Sequence, residues 1–391
     1  MYLTNEQEKM LNGEYGFIVS KALQLIVKVG EALEAERLVD ISHAHISGVS
    51  YSNIGKYGLD FILNFYRKGG RAKVYTTINP GCVDYTGYSS IIDNRYFHDQ
   101  LIIDQALVGM GFKPIFTCIP YYHRPPIIGE HLAWGESSAV IYANSIYGAF
   151  TNREGGPIAL ASSLTGYTYY AGMHLLENRV AKVEVTLDSY AMHLPKSLLG
   201  LWIGDNIKEI PYIRGMKRVD LYEIKLVLAS MAAAGNHSIA IVEKYTPRGS
   251  YQLDVMDKVH VEKSDLDMYI GESIPLGGVI LGYVGCPHLH PAELLRLVHL
   301  VRKYGPLRKG RLLVTIPPEY ISKFRNLVFE LRARNVDIAG GTCPVVSLLR
   351  DKFDLVVTNS GKAAFYLRRI HGLKTKIVSL DEVVKIVSGS R

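Results

Sequence analysis

From residue 277 onward the sequence alternates without a break between short apolar runs and amphipathic helical stretches. Strands are expected over 277–284, 311–316, 336–339, 354–358 and 374–379. Helices are expected over 290–303, 319–335, 362–371 and 381–387, with a short one between the third and fourth strands. Connections this short leave only right-handed crossovers, so the strands must run parallel with helices on the sheet's faces. The pattern predicts a flavodoxin-like α/β domain over 277–391.

The earlier chain reads as α/β too. Thr4 and Gln7 form a capping box ahead of Met10 and Leu11, and a helix over 15–33 carries Ile18, Ala22, Leu25, Ile26 and Val29 on one face. Strands are expected over 38–41, 73–77 and 114–117, with helices over 58–67 and 98–109. Helices are also expected over 137–150, 157–165 and 219–234, the second opening on Pro157, with a strand over 179–187. The stretch 189–217 carries no assignable pattern. A chain of 391 residues holds two or three domains. The expected division is 1–135, 136–276 and 277–391.

Composition narrows the function. Hydrophobic residues at 48% and charged residues at 21% exclude a disordered chain. Four cysteines are too few for a disulfide scaffold. No apolar run is long enough for a membrane span, and the polar start is not a signal peptide, so a cytoplasmic protein is expected. The net charge of +7 is scattered rather than gathered into a stripe, which speaks against nucleic acid and fits an ordinary surface or a small anionic substrate.

In open α/β sheets ligands sit beyond the carboxyl ends of the strands. Six motifs fall at such places: Ser47-Gly48-Val49-Ser50, Asn79-Pro80-Gly81-Cys82, Cys118-Ile119-Pro120, Gly285-Cys286-Pro287-His288, Gly340-Gly341-Thr342-Cys343 and Asn359-Ser360-Gly361-Lys362. Dispersed cysteines are ordinarily buried small hydrophobes. Their shared placement at strand ends opens two other readings: three soft thiolates around an iron–sulfur cluster with one open iron, or a disulfide pair. Ser47 to Ser50 offer backbone N–H groups and hydroxyls to an anion, and Ser360-Gly361-Lys362 opens a helix, where the dipole and the lysine favour one. The His43/His45 and His288/His290 pairs are incidental spacings. The segment from Trp134 to Pro157 surrounds an apolar helix with Glu136, Ser137, Asn144, Ser145, Asn152, Arg153 and Glu154. Unless each is satisfied, a core gains nothing from so many polar groups, so a substrate-orienting site is expected there, with Arg153 as a planar clamp.

Ser47-Gly-Val-Ser50-Tyr-Ser-Asn53-Ile-Gly, Trp134-Gly-Glu-Ser-Ser-Ala-Val, Tyr142-Ala-Asn-Ser, Thr151-Asn-Arg-Glu-Gly-Gly-Pro, Gly285-Cys-Pro-His and Thr358-Asn-Ser together resemble the aconitase X family, in order and over almost the whole chain. The resemblance implies an aconitase-like architecture of parallel sheets flanked by helices. It further implies the large subunit of an archaeal heterodimeric hydro-lyase, with the small subunit on a separate chain. The implied reaction dehydrates (R)-5-phosphomevalonate to trans-anhydromevalonate 5-phosphate, in a modified mevalonate route to isoprenoids. Dehydration of cis-3-hydroxyproline is the alternative within the family, and a non-catalytic iron–sulfur protein the alternative outside it. A 4Fe–4S cluster on Cys118, Cys286 and Cys343 is implied, acting as a Lewis acid, with Cys82 substrate-side or structural. Gly48, Val49, Ser50, Asn79 and Pro80 would line the substrate pocket. Asn144, Ser145, Gly361 and Lys362 would close it, with Lys362 on an anionic end of the substrate. The base, carried in aconitase-like enzymes by a small mobile domain, is expected on the partner.

Overall fold

Strands covered on both faces carry unbroken apolar runs, and the C-terminal sheet is built from them: Ile280–Val284 and Leu355–Thr358 are buried at every position. The computed structural model describes residues 1–216, 219–275 and 277–390, so positions 276 and 391, which end the central and C-terminal regions expected from sequence, lie outside the described residues. In spatial order the sheet runs Val336–Gly340, Gly310–Ile316, Ile280–Val284, Leu355–Thr358 and Thr375–Ile377, all parallel. Helices Pro291–Tyr304, Arg325–Ala333 and Leu380–Ser388 cover one face through Leu294, Leu297, Leu331 and Val384. Gly361–His371 covers the other through Ala363 and Leu367, together with Ile91 and Ile92 from far upstream.

Numbered within the domain, the order is 3-2-1-4-5, the doubly wound arrangement, where the expected flavodoxin-like order would be 2-1-3-4-5. Alternation dictates parallel strands but leaves the direction of each crossover open, and that choice sets the order. The reversal places a crevice between the ends of Ile280–Val284 and Leu355–Thr358, where Cys286 and Lys362 follow.

Two further parallel sheets stand beside it. One runs Gln252–Val261, Val180–Leu187, Ile210–Ile213 and Ile241–Val242, with helices Ser197–Asn206 and Leu221–Ala234 against it. The other runs Tyr75–Ile78, His43–Ile46 and Leu132–Trp134, flanked by Phe17–Ala32, Tyr51–Arg67, Phe97–Gly109 and Gly156–Thr165. The capping box at Thr4 and Gln7 is formed. Antiparallel pairing of Ile92–Asp93 with Leu348–Leu349, a two-stranded sheet of its own, ties the N-terminal region to the C-terminal region. Among the described residues no helix is long and apolar enough to cross a membrane.

Several elements differ from expectation. Residues 114–117 are not a strand: Phe116 stacks on Tyr85 at 4.1 Å with φ at 39°, left-handed backbone that a pleated strand cannot hold. His43–Ile46, expected as loop, is the central strand of its sheet, and both histidines are buried by pairing with Thr77. No helix separates Val336–Gly340 from Leu355–Thr358; the short strand Leu348–Leu349 takes its place. Ser137–Tyr142 ends early in a wide turn over Ala143–Tyr147, and the helix expected over 319–335 is broken at Phe324.

Candidate active site

Three regions of the chain meet at one cleft of about 230 Å³. Its first wall is the loop after His43–Ile46, where Gly48 takes a φ of 69° that no β-branched residue would accept without strain, and where the buried Val49 and Ser50 line the cleft. Asn79 and Pro80 follow the neighbouring strand Tyr75–Ile78. Glu136 and Ser137 open the helix Ser137–Tyr142, Arg153 stands on the rim, and Cys343 and Lys362 come from the C-terminal sheet. Of the expected contact residues, Gly48, Val49, Ser50, Asn79, Pro80, Arg153 and Lys362 therefore share one surface.

Asn144, Ser145 and Gly361 lie behind that surface rather than on it. The Asn144 amide donates to the carbonyls of Thr151 and Ser238, and its oxygen accepts from the Thr151 N–H and the buried Arg179 guanidinium. Ser145 Oγ accepts from the Ala240 N–H at 2.9 Å. Gly361 is the first residue of its helix, where an added Cβ would stand 2.5 Å from Ser230 Oγ and 2.8 Å from the Ser197 carbonyl.

The centre of the cleft is the ion pair between Lys362 Nζ and Glu136 Oε1. Lys362 also donates to Ser137 Oγ at 3.3 Å and Ser138 Oγ at 3.2 Å, while Asn79 Nδ2 donates to Glu136 Oε2 at 3.1 Å. Burial alone would push the Glu136 carboxyl up, but Lys362, the Ser138 N–H and Arg153 overcome it and hold the group down at about 2. Burial likewise pulls Lys362 down, and the Glu136 charge reverses this to leave the ammonium above its ordinary value. Neither partner of the pair is thus set to exchange a proton near neutrality; the pair orients rather than shuttles. Behind Asn79, His45 Nε2 lies 3.2 Å from its side-chain oxygen, and burial lowers that imidazole to about 4. The sequence marked Glu136 only as one polar group among several; its partner lies 226 positions away.

Beneath this pair stand three buried or half-buried thiols. Cys118, Cys286 and Cys343 are free and lie within electrostatic reach of one another and of Lys362. Burial, reinforced by their mutual proximity, raises each to about 12, so the bare thiols are neutral. A bound cation would reverse that balance. Among the described residues no three His, Cys, Asp or Glu side chains gather tightly enough to grip a single metal ion. The donor set itself, three soft thiols, suits a polynuclear iron–sulfur group, in which each thiolate binds a different iron. Cys82 stands apart and points its Sγ at Gln100 Oε1, 3.4 Å away. Gln100 in turn holds the first wall, donating to the Val49 carbonyl and accepting from the Tyr51 N–H.

Parallel sheets in a three-part assembly, with thiols under an ion-paired cleft, define the aconitase-like class of fold. The chain belongs to the aconitase X family: the family's first, second and third domains match residues 1–177, 179–271 and 279–388. Among its relatives, the phosphomevalonate dehydratase large subunit of Thermococcus kodakarensis is 35% identical over 393 residues, spanning 98% of this chain and 99% of that one. The protein of the same description from Aeropyrum pernix is 36% identical over 409 residues, spanning 99% and 100%. The crystal structure of Thermococcus kodakaraensis aconitase X in its holo-form matches with a TM-score of 0.89 at 34% identity, covering 99% of this chain and all of that one. The family's dehydratases are hydro-lyases, and this chain is one of them.

Proposed function

We propose that the chain is the large catalytic subunit of a heterodimeric enzyme that dehydrates (R)-5-phosphomevalonate to trans-anhydromevalonate 5-phosphate, in the archaeal modified mevalonate route to isoprenoids. Likeness along its full length to large subunits named for that substrate supports the reading. The observation that carries it at the site is that Lys362 and Arg153 share one cleft with Cys343, and that Lys362 also lies within electrostatic reach of Cys118 and Cys286. A substrate with a carboxylate at one end and a phosphate at the other needs two separate anion contacts, and these residues offer them.

Cys118, Cys286 and Cys343 would hold an iron–sulfur cluster, which we take to be 4Fe–4S; when bound it supplies a Lewis acid for the substrate's carboxylate and departing hydroxyl. Lys362 and Arg153 bind and orient the anionic ends. Gly48, Val49 and Ser50 present backbone and hydroxyl groups to the ligand, with Asn79 and Pro80 shaping the wall beside them. Asn144 and Ser145 support from behind: Asn144 fixes Thr151, two residues before Arg153. Gly361 lets the helix carrying Lys362 come close. The base, which aconitase-like enzymes carry on a small mobile domain, is assigned to the separate small subunit, and the Lys362–Glu136 pair to orienting the substrate.

Purifying both subunits without oxygen and following phosphomevalonate by NMR tests the proposal. Loss of substrate with growth of a vinylic proton signal is the expected result. A pair that carries a cluster spectrum yet leaves phosphomevalonate untouched overturns it. Turnover of cis-3-hydroxyproline by that pair would assign the chain to the family's other activity.

A further inference from the structure

We infer that His288 is a positioning residue that holds the three cysteine loops in register, an inference that rests on those cysteines being the cluster ligands. Its side chain is fully buried and does not reach the cleft. Nε2 lies 2.9 Å from the carbonyl of Thr342, the residue before Cys343. Nδ1 lies 3.2 Å from Oγ1 of Thr117, the residue before Cys118. The backbone N–H of His288 donates to Cys118 Sγ at 3.3 Å, and Cys286 is only two residues upstream. One residue thus touches the approach to each of three thiols that are separated by 168 and 57 positions in sequence.

The contacts decide the ring's tautomer and its role. A carbonyl can only accept, so Nε2 carries the proton, and Nδ1 accepts from the Thr117 hydroxyl. Both ring nitrogens are therefore committed to protein partners, which makes His288 a brace rather than a fourth ligand. The brace is itself anchored. Lys225, buried on the helix Leu221–Ala234, donates from Nζ to the His288 carbonyl at 3.0 Å and pairs with Glu293 at 2.5 Å, and Glu293 accepts the His290 N–H at 2.8 Å. His43 and His45, by contrast, both meet Thr77 of the neighbouring strand, and His45 also meets Asn79, so neither bridges separate cysteine loops. Partners of this kind behind a metal ligand set its orientation, and their loss typically costs about 10–100-fold in metal affinity.

The test uses the two-subunit enzyme, reconstituted without oxygen with iron and sulfide, in wild-type form and as His288→Ala, His288→Gln and Thr117→Val. Iron and sulfide per chain, the EPR spectrum of the reduced cluster and the rate of iron loss to a chelator are measured alongside near-UV circular dichroism. His288→Ala should lose iron at least about tenfold faster than wild type and show a changed EPR line shape. His288→Gln, whose amide N–H can reach the Thr342 carbonyl, should recover part of that loss, and Thr117→Val should lie between wild type and His288→Ala. A purely structural role would lower the yield of folded protein while leaving the folded fraction's spectrum and iron-loss rate at wild-type values, and that result overturns the inference. Should His288→Ala fail to fold, the other two variants decide by the same measurements. A wild-type enzyme that takes up no iron at all overturns the ligand reading and this inference with it, whereas normal loading of wild type with unchanged variants overturns only the inference.

Discussion

Lys362 shows how one residue can be set by its surroundings to a single task. It is the second residue of its helix, so exposed N–H groups and the helix dipole add to its charge, and Glu136 fixes where that charge points. Replacing it by methionine keeps the volume and removes the charge, leaving the Glu136 carboxylate buried and unpaired. Lys362→Met should lower kcat/KM by about 10²–10³-fold, the usual cost of one preorganised electrostatic contact, and destabilise the fold by about 3–5 kcal/mol. Steady-state kinetics of the two-subunit enzyme and urea unfolding of the chain measure the two effects. Glu154, next to Arg153, gives a pH signature. Burial lifts its carboxyl to about 7, although the Tyr169 hydroxyl at 2.8 Å and Thr168 Oγ1 at 3.2 Å donate to it. The folded protein therefore binds this proton more tightly than the unfolded chain. The contribution to stability is complete below the unfolded value near 4.5 and is lost as pH rises through about 7. Glu154→Gln should remove that slope, gaining on wild type by ~3 kcal/mol between pH 4.5 and 8, as read by denaturant midpoints across the range. A parallel pair of stability curves would show that Glu154 is not the group responsible.

At the scale of elements, helix packing sets the position of the site. Gly361 meets Ser230 on the neighbouring helix Leu221–Ala234 and the Ser197 carbonyl that begins Ser197–Asn206, and no atom larger than hydrogen fits between them. Gly361→Ala should cost about 1–3 kcal/mol by overpacking. Because the displaced helix carries Lys362, KM should rise by more than the fall in Tm alone implies, and comparing the two at a temperature where the variant is fully folded separates them. The same elements explain what could be read in the sequence. Apolar runs such as Ile280–Val284 and Leu312 to Ile316 announced the buried strands, and Ser360-Gly361-Lys362 announced a helix N-terminus, since both signals are local. His43–Ile46 was hidden because two histidines broke its apolar pattern, and only the burial of both against Thr77 makes the segment a strand. The run at 114–117 looked like a strand, but the stacking of Phe116 on Tyr85 imposes a left-handed residue there. Sheet order was not legible because crossover direction is decided by packing. Glu136 could be seen as polar but not as the partner of Lys362, since no local rule links positions so far apart.

For the whole molecule, the cleft draws its walls from the family's first and third domains, and separate contacts lock these to each other and to the second domain. Cys343 donates its N–H to the Gly81 carbonyl, Ser197 Oγ donates to the Asn359 carbonyl at 3.0 Å, and Lys225 reaches the His288 carbonyl. A ligand that binds only where these portions converge stabilises their assembly and has no site on the unfolded chain. At a concentration of about 100 times Kd it should add about 2.7 kcal/mol to the unfolding free energy. On the proposed function, phosphomevalonate should therefore raise Tm by a few degrees in a single transition, since the portions must separate before the site is lost. Lys362→Met should abolish most of that shift while inorganic phosphate at the same concentration produces little of it in wild type, because phosphate alone can engage only one end of the cleft. Differential scanning calorimetry with and without ligand makes the measurement. A ligand that shifts one of two resolved transitions and leaves the other unmoved would place the site within a single portion of the chain, contrary to the geometry of Ser50, Asn79, Arg153 and Lys362 around one opening.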